Sequence, residues 1–77
     1  MTKLPTVSGK DTIKALRKIG FVVMRQKGSH VMLRKITLEK TIKLVVPLHK
    51  ELKKGTLKRI LNTAGLTVDE FLQLLKN

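Results

Sequence analysis

The sequence predicts an α+β fold, a three-stranded antiparallel sheet with helices on one face, in the order α-β-β-β-α-α. Three observations carry this. Apolar residues recur at helical spacing towards both ends of the chain, β-branched runs fill its middle, and glycine or proline marks the changes of pattern.

Ser8 followed by Asp11 reads as an N-cap with an acidic residue at the third helical position. Ile13, Leu16 and Ile19 then form an apolar stripe that stops at Gly20, so the first helix is expected over about residues 9–19. Phe21 to Gln26 predicts a first strand, Lys27-Gly28 is a turn signal, and Ser29 to Ile36 predicts a second strand joined to the first by a tight hairpin. The run TIKLVV, Thr41 to Val46, predicts a third strand closed by Pro47, which has no N–H to give to a ladder. Leu57, Ile60, Leu61 and Ala64 follow at i, i+3, i+4 and i+7 and end at Gly65, a helix whose start falls near Gly55 and Thr56. Thr67 with Glu70 forms a capping box for a last helix carrying Val68, Phe71, Leu72 and Leu75. Along the second strand Val31 and Leu33 share one face, and His30, Met32 and Arg34 the other. Along the third, Ile42, Leu44 and Val46 lie opposite Lys43 and Val45. Helices laid on the apolar face are the simplest way to bury these stripes. Met24 and Met32 are expected to pack on or beside the sheet.

With 77 residues and no linker, repeat or low-complexity tract, the chain is expected to form one domain over residues 1–77. The absence of cysteine excludes a disulfide framework or a thiolate metal site and suits a reducing cytoplasm. No apolar run approaches the ~20 residues that span a bilayer, and the N-terminus does not read as a signal peptide, so no membrane partner is expected.

Seventeen Lys and Arg against five Asp and Glu give a net charge of +12. Residues 10–59 carry all of that excess, whereas residues 60–77 sum to −1. The charge therefore belongs to the folded body rather than to a tail, and attracts nucleic acid, an anionic surface or an acidic protein.

The chemistry available is narrow. Two histidines and five scattered acids make no carboxylate pair, no Ser-His-Asp set and no zinc site of the usual ligand count, and no phosphate-binding glycine loop is present. What remains is histidine beside lysine and arginine, a combination suited to a phosphodiester, with no cofactor. If the second hairpin turns near residues 37–40, paired positions sum to roughly 76, which places His30 opposite Val46 and within a few residues of His49. That register gathers Arg25, Lys27, His30, His49, Lys53 and Lys54 at one end of the sheet, beside the N-terminus of the following helix, a natural anion site. Taken alone, each feature has a plainer reading: a histidine early in a strand is more often a surface residue than a catalyst, His49 beside a proline can simply cap the next segment, Gly28 serves the turn, and Lys53, Lys54, Lys58 and Arg59 can be a solvated helix face.

The stretches SGKDTIKALRKIGFVVMRQKGSHVMLRK and VVPLHKELKKGTLKRILNTAGLTVDEF resemble the HicA family of toxins, small mRNA interferases of HicA–HicB toxin-antitoxin systems, along almost the whole chain. The resemblance rests on Gly-Ser-His, Pro-x-His, Lys-x-Gly-Thr-Leu and the Ala-Gly-Leu helix break in their order and spacing. It implies a double-stranded-RNA-binding-like fold with an extra C-terminal helix, ribonuclease activity towards mRNA, and neutralisation by a HicB-type antitoxin, which is expected to cover the site. It also implies that His30, flanked by Gly28 and Ser29, is the catalytic histidine. The assignment does not extend to His49, whose auxiliary role, like that of Arg25, rests on the hairpin register.

Relatives of that fold hold RNA with the first helix, the first hairpin turn and the start of the helix after the third strand. Here those regions carry Lys10, Lys14, Arg17, Lys18, Lys27, Gly28, Ser29, Lys53, Lys54, Lys58 and Arg59. With two phenylalanines and no Tyr or Trp, stacking of bases on aromatic side chains is a poor source of affinity. A non-catalytic double-stranded-RNA-binding module and a basic protein devoted to an acidic partner are the competing readings.

Overall fold

A computed structural model of the chain describes residues 3–76. Three helices and a three-stranded antiparallel meander follow in the expected order: α1 (Gly9–Lys18), β1 (Val22–Lys27), β2 (His30–Ile36), β3 (Thr41–Pro47), α2 (Lys54–Ala64) and α3 (Val68–Lys76). No helix among the described residues is long and apolar enough to cross a membrane.

The caps show why the helices start and stop where they do. Ser8 Oγ accepts from the Asp11 N–H at 3.0 Å, satisfying one of the free donors of the first turn of α1. At the other end Gly20 takes φ 103°, its N–H donates to the Arg17 carbonyl, and the Phe21 N–H donates to the Leu16 carbonyl. This Schellman arrangement turns the chain sharply and drops Phe21 into the core. Gly65, at φ 75°, ends α2 in the same way, with Leu66 donating back to Leu61. Thr67 and Glu70 open α3 reciprocally: the Thr67 N–H donates to Glu70 Oε1 at 2.9 Å and the Glu70 N–H to Thr67 Oγ1 at 3.1 Å.

The pairing of β2 with β3 corrects the expected register. His30 faces Pro47, not Val46, and partners sum to 77 through Val31↔Val46 and Leu33↔Leu44. The cause lies in the face pattern. In an antiparallel pair, residues directly opposite project to the same side, so the odd-numbered apolar stripe of β2 and the even-numbered stripe of β3 share a face only if the sum is odd. A four-residue connection over 37–40, closed by Thr37 N–H to the Lys40 carbonyl, supplies that register. The first hairpin also differs slightly. Its two loop residues are Gly28 and Ser29, and a positive φ at the first only is the pattern of a type II′ turn.

Val31, Leu33, Leu44 and Val46 make one wall of the core; Leu16, Leu57, Ile60, Leu61 and Phe71 make the other. α2 packs along β3 and α3 along α1, where Lys18 Nζ donates to the Leu74 carbonyl at 2.7 Å. Coverage is uneven, because every residue of β1 is exposed and only Phe21, just before it, is anchored. Between Val23 and Arg25 the pairing slips by one residue, leaving Met24 as the extra residue of a β-bulge, 45% exposed. Met32 is half-buried on the outer face, where its sulfur accepts from Arg25 Nε at 3.5 Å.

One contact ties these layers together. A Cβ added at Gly9 would lie 1.9 Å from the Pro47 carbonyl oxygen. Gly9→Ala is therefore expected to lower stability by about 3 kcal/mol or more, the upper end for overpacking, because the obstacle is backbone. Gly55→Ala, with nothing within 4 Å of the added carbon, is expected to raise it by up to about 1 kcal/mol. Urea unfolding of the two variants beside the parent checks both signs.

Candidate functional site

His30 is the first residue of β2 and is exposed. Its Cα partners are Lys27 on β1 and Pro47 on β3, and strand alternation places its side chain on the outer face of the sheet, opposite Val31 and Leu33. Lys27 lies directly beside it on that face, with Arg25 two positions along β1.

The end of the sheet that carries His30 is built by three backbone hydrogen bonds. The Leu48 N–H donates to the Ser29 carbonyl at 2.6 Å, carrying the β2–β3 pairing one step past the strand into the turn. Since Leu48 bonds towards β2, the flanking Pro47 and His49 turn their backbone groups to the outer edge of β3. That explains how a proline sits there, for an outward N–H would have served no ladder. It also explains the next contact: the His49 carbonyl accepts from the N–H of Gly9, at the start of α1, at 2.9 Å. Three residues on, the Leu52 N–H donates to the Val7 carbonyl at 2.8 Å.

Residues 7–10, 27–30 and 47–54 thus meet at one end of the molecule. Of the sequence-predicted residues, Lys27, Gly28, Ser29, His30, His49, Lys53 and Lys54 are all brought there, with Lys10 on the second residue of α1. Lys14 and Lys58 sit one turn further along their helices, and all of these lysines and both histidines are exposed. Arg17, Lys18 and Arg59 lie further from this end; Arg17 and Lys18 border a groove of about 650 Å³ between α1 and α3, and Arg59 borders a smaller one beside β3. Neither groove includes His30, which is exposed.

The start of α2 has an unusual charge. α1 and α3 carry Asp11, and Asp69 and Glu70, in their first turns, as the helix dipole favours. α2 has no acid in its first turn and no side-chain cap, and is preceded by Lys53 and begun by Lys54. Positive charge at the positive end of a helix is unfavourable by a few tenths of a kcal/mol, so it makes sense as a place for an anion rather than as a stabilising device. Among the described residues no three His, Cys, Asp or Glu side chains converge as a metal site.

Two residues of this region carry roles that sequence patterning did not assign. Gly9 is one, although a glycine directly after an N-cap, where better helix formers are common, is a signal of close backbone approach. Pro47 is the other, the direct neighbour of His30 rather than only the stop of β3.

The family described as HicA toxin of bacterial toxin-antitoxin matches the chain over residues 9–66. That span begins at the glycine in contact with Pro47 and takes in the whole sheet and α2. No curated protein sequence matches the chain.

Gly28 holds φ 60° with open space around it, so its cost of substitution is conformational. Gly28→Ala is expected to destabilise the hairpin by about 1–2 kcal/mol, and Gly28→Asn by less, since Asn is accepted beside glycine at the positive-φ position of primed turns. Thermal unfolding of the pair gives the ranking.

Proposed function

The chain belongs to the HicA family of bacterial toxins, and from that premise we propose that it inhibits growth as a metal-independent endoribonuclease acting on mRNA in the cytoplasm, held in check by a HicB-type antitoxin. One observation carries the reading. An exposed histidine, His30, stands at the end of the sheet where the first hairpin turn, the Pro47–Lys53 segment and the starts of α1 and α2 meet, and the α2 start presents lysines where a helix ordinarily presents acids.

RNA supplies its own nucleophile. In the proposed reaction the 2′-oxygen loses its proton and attacks the adjacent phosphorus, the bond from phosphorus to the 5′-oxygen breaks, and that oxygen takes up a proton. The products are a 2′,3′-cyclic phosphate and a 5′-hydroxyl end. Histidine changes protonation near neutral pH and can serve either transfer, and His30 is assigned this role. Lys27, its direct cross-strand neighbour, is assigned to stabilise the negative charge that grows on the phosphoryl oxygens, with Arg25 as an auxiliary cation. His49 is assigned as a secondary proton carrier, on the ground that its backbone is fixed two residues beyond the partner of His30. Lys10, Lys14, Lys53, Lys54 and Lys58 hold the phosphate chain on either side, with Gly28 and Ser29 letting the backbone approach closely. An open surface of this kind suits a polymer that must lie across it better than a small molecule that must be enclosed.

His30→Ala is expected to lower cleavage by 10²-fold or more and to abolish growth inhibition, while RNA and antitoxin binding persist. A fully toxic variant sinks the assignment, and downstream fragments ending in 5′-phosphate, or activity that requires magnesium, sink the chemistry. Affinity for RNA is expected to fall steeply with salt, and Lys53→Ala to make the log–log slope shallower by about one unit.

A further inference from the structure

The first hairpin turn presents a backbone donor beside His30, and a side chain on the other face aims it. Gln26 pairs with Val31, and residues directly opposite in an antiparallel pair project to the same side, so Gln26 lies on the inner face of the sheet, at its exposed rim. From there its Nε2 donates to the Gly28 carbonyl at 2.9 Å. The central peptide of the turn thus has its oxygen drawn to the inner side. No peptide bond among the described residues is cis, and in a trans peptide the N–H points away from the C=O. The Ser29 N–H therefore points to the outer side, where Lys27 and His30 face each other. Among the described residues it donates to no acceptor.

Type I′ and type II′ turns both join strands by two residues and differ in the orientation of this peptide. In the I′ form the Gly28 oxygen would face a phosphate lying beside His30, and both loop residues would need positive φ. Position 29 is a serine, and among the described residues positive φ is confined to glycine. The residue type at 29 and the Gln26 side chain select the same form, the one that offers a donor in place of a lone pair.

We infer that the Ser29 N–H donates to a non-bridging phosphoryl oxygen during cleavage, and that Gln26 is the positioning residue that aims it. The inference rests on the proposed nuclease reading, in which negative charge grows on those oxygens as the 2′-oxygen attacks. Lys27 brings charge there on a flexible stem. The Ser29 N–H is fixed in the backbone, and the Ser29 carbonyl is tied in turn to the Leu48 N–H. A donor oriented in advance needs no reorganisation when charge develops. Gln26 acts from the opposite side of the turn and touches no substrate.

The test uses the full chain and an RNA that the parent cuts, prepared with a phosphorothioate of either configuration at the cut linkage. Sulfur accepts from an N–H more weakly than oxygen, so the parent is expected to cut one configuration faster. Ser29→Pro removes the N–H while keeping the negative φ of the turn, and Ser29→Ala, which keeps the N–H, is its reference. Ser29→Pro is expected to cleave about tenfold or more below Ser29→Ala and to lose the preference between configurations. Gln26→Met keeps the stem without the donor, and is expected to lower kcat several-fold and weaken that preference, with KM and melting temperature near those of the parent. Gln26→Lys, whose amine reaches the same carbonyl, is expected to restore both. Equal cleavage by Ser29→Pro and Ser29→Ala overturns the inference, as does a parent indifferent to configuration. If Ser29→Pro does not fold, Gln26→Met decides: a parent-like preference there overturns the inference, and a weakened one that Gln26→Lys restores upholds it. A parent that cuts no RNA overturns the nuclease reading and this inference together, whereas an active parent with unaffected variants overturns this inference alone.

Discussion

The approach of Gly9 to Pro47 is the constraint on which the His30 end of this molecule depends. The first residue of α1 lies against the backbone of β3 so closely that no side chain fits between them, and the Gly9 N–H reaches past Pro47 to the His49 carbonyl. That one contact sets where α1 begins relative to the sheet. Through Leu48 and Ser29 it also sets how the end of β3 lies beside the first hairpin turn. Thr12, fully buried with its hydroxyl donating to the Ser8 carbonyl, extends the same device into the helix. A small domain has few long-range contacts to spare, so a position where two backbones touch has a large share in fixing its geometry.

Division of labour follows from this frame. The inner sheet face and the apolar sides of the helices make the core, and no residue buried there is charged. The charge lies on the exposed sides of the helices, at the end of the sheet and on its outer face, in reach of other molecules. Since the core relies on apolar burial and on helix caps, substitutions among the surface lysines cost the fold little.

The sequence was most legible where local chemistry decides the outcome. Ser8, Gly20, Gly65 and the Thr67–Glu70 pair each cap a helix through bonds to residues a few positions away, so the spacing alone foretells them. Register is a matter between strands: the hairpin's position points to a sum near 76 where the strands pair at 77, although the apolar stripes of β2 and β3 already require an odd sum. The bulge at Met24 left no trace in the pattern, because β1 is exposed throughout and has no buried stripe to be interrupted. Convergence of Lys27, His30, His49, Lys53 and Lys54 survived the register error, since a shift of one residue changes which neighbour His30 faces but not which end of the sheet it occupies. The role of Gly9 depends on a contact across some forty residues of sequence, and only the fold reveals it.

The bulge at Met24 has a consequence of a different kind. β1 ends the sheet and leaves an edge to which another strand can add, the ordinary route by which sheet proteins polymerise. At the bulge two residues stand where the partner strand has one, so an incoming strand that fits the first half of β1 falls out of step with the second. Arg25 and Lys27 add like-charge repulsion if the newcomer is another copy. A protein that must stay dispersed whenever it is released from a partner has, in this small irregularity, a built-in defence against precipitating on itself.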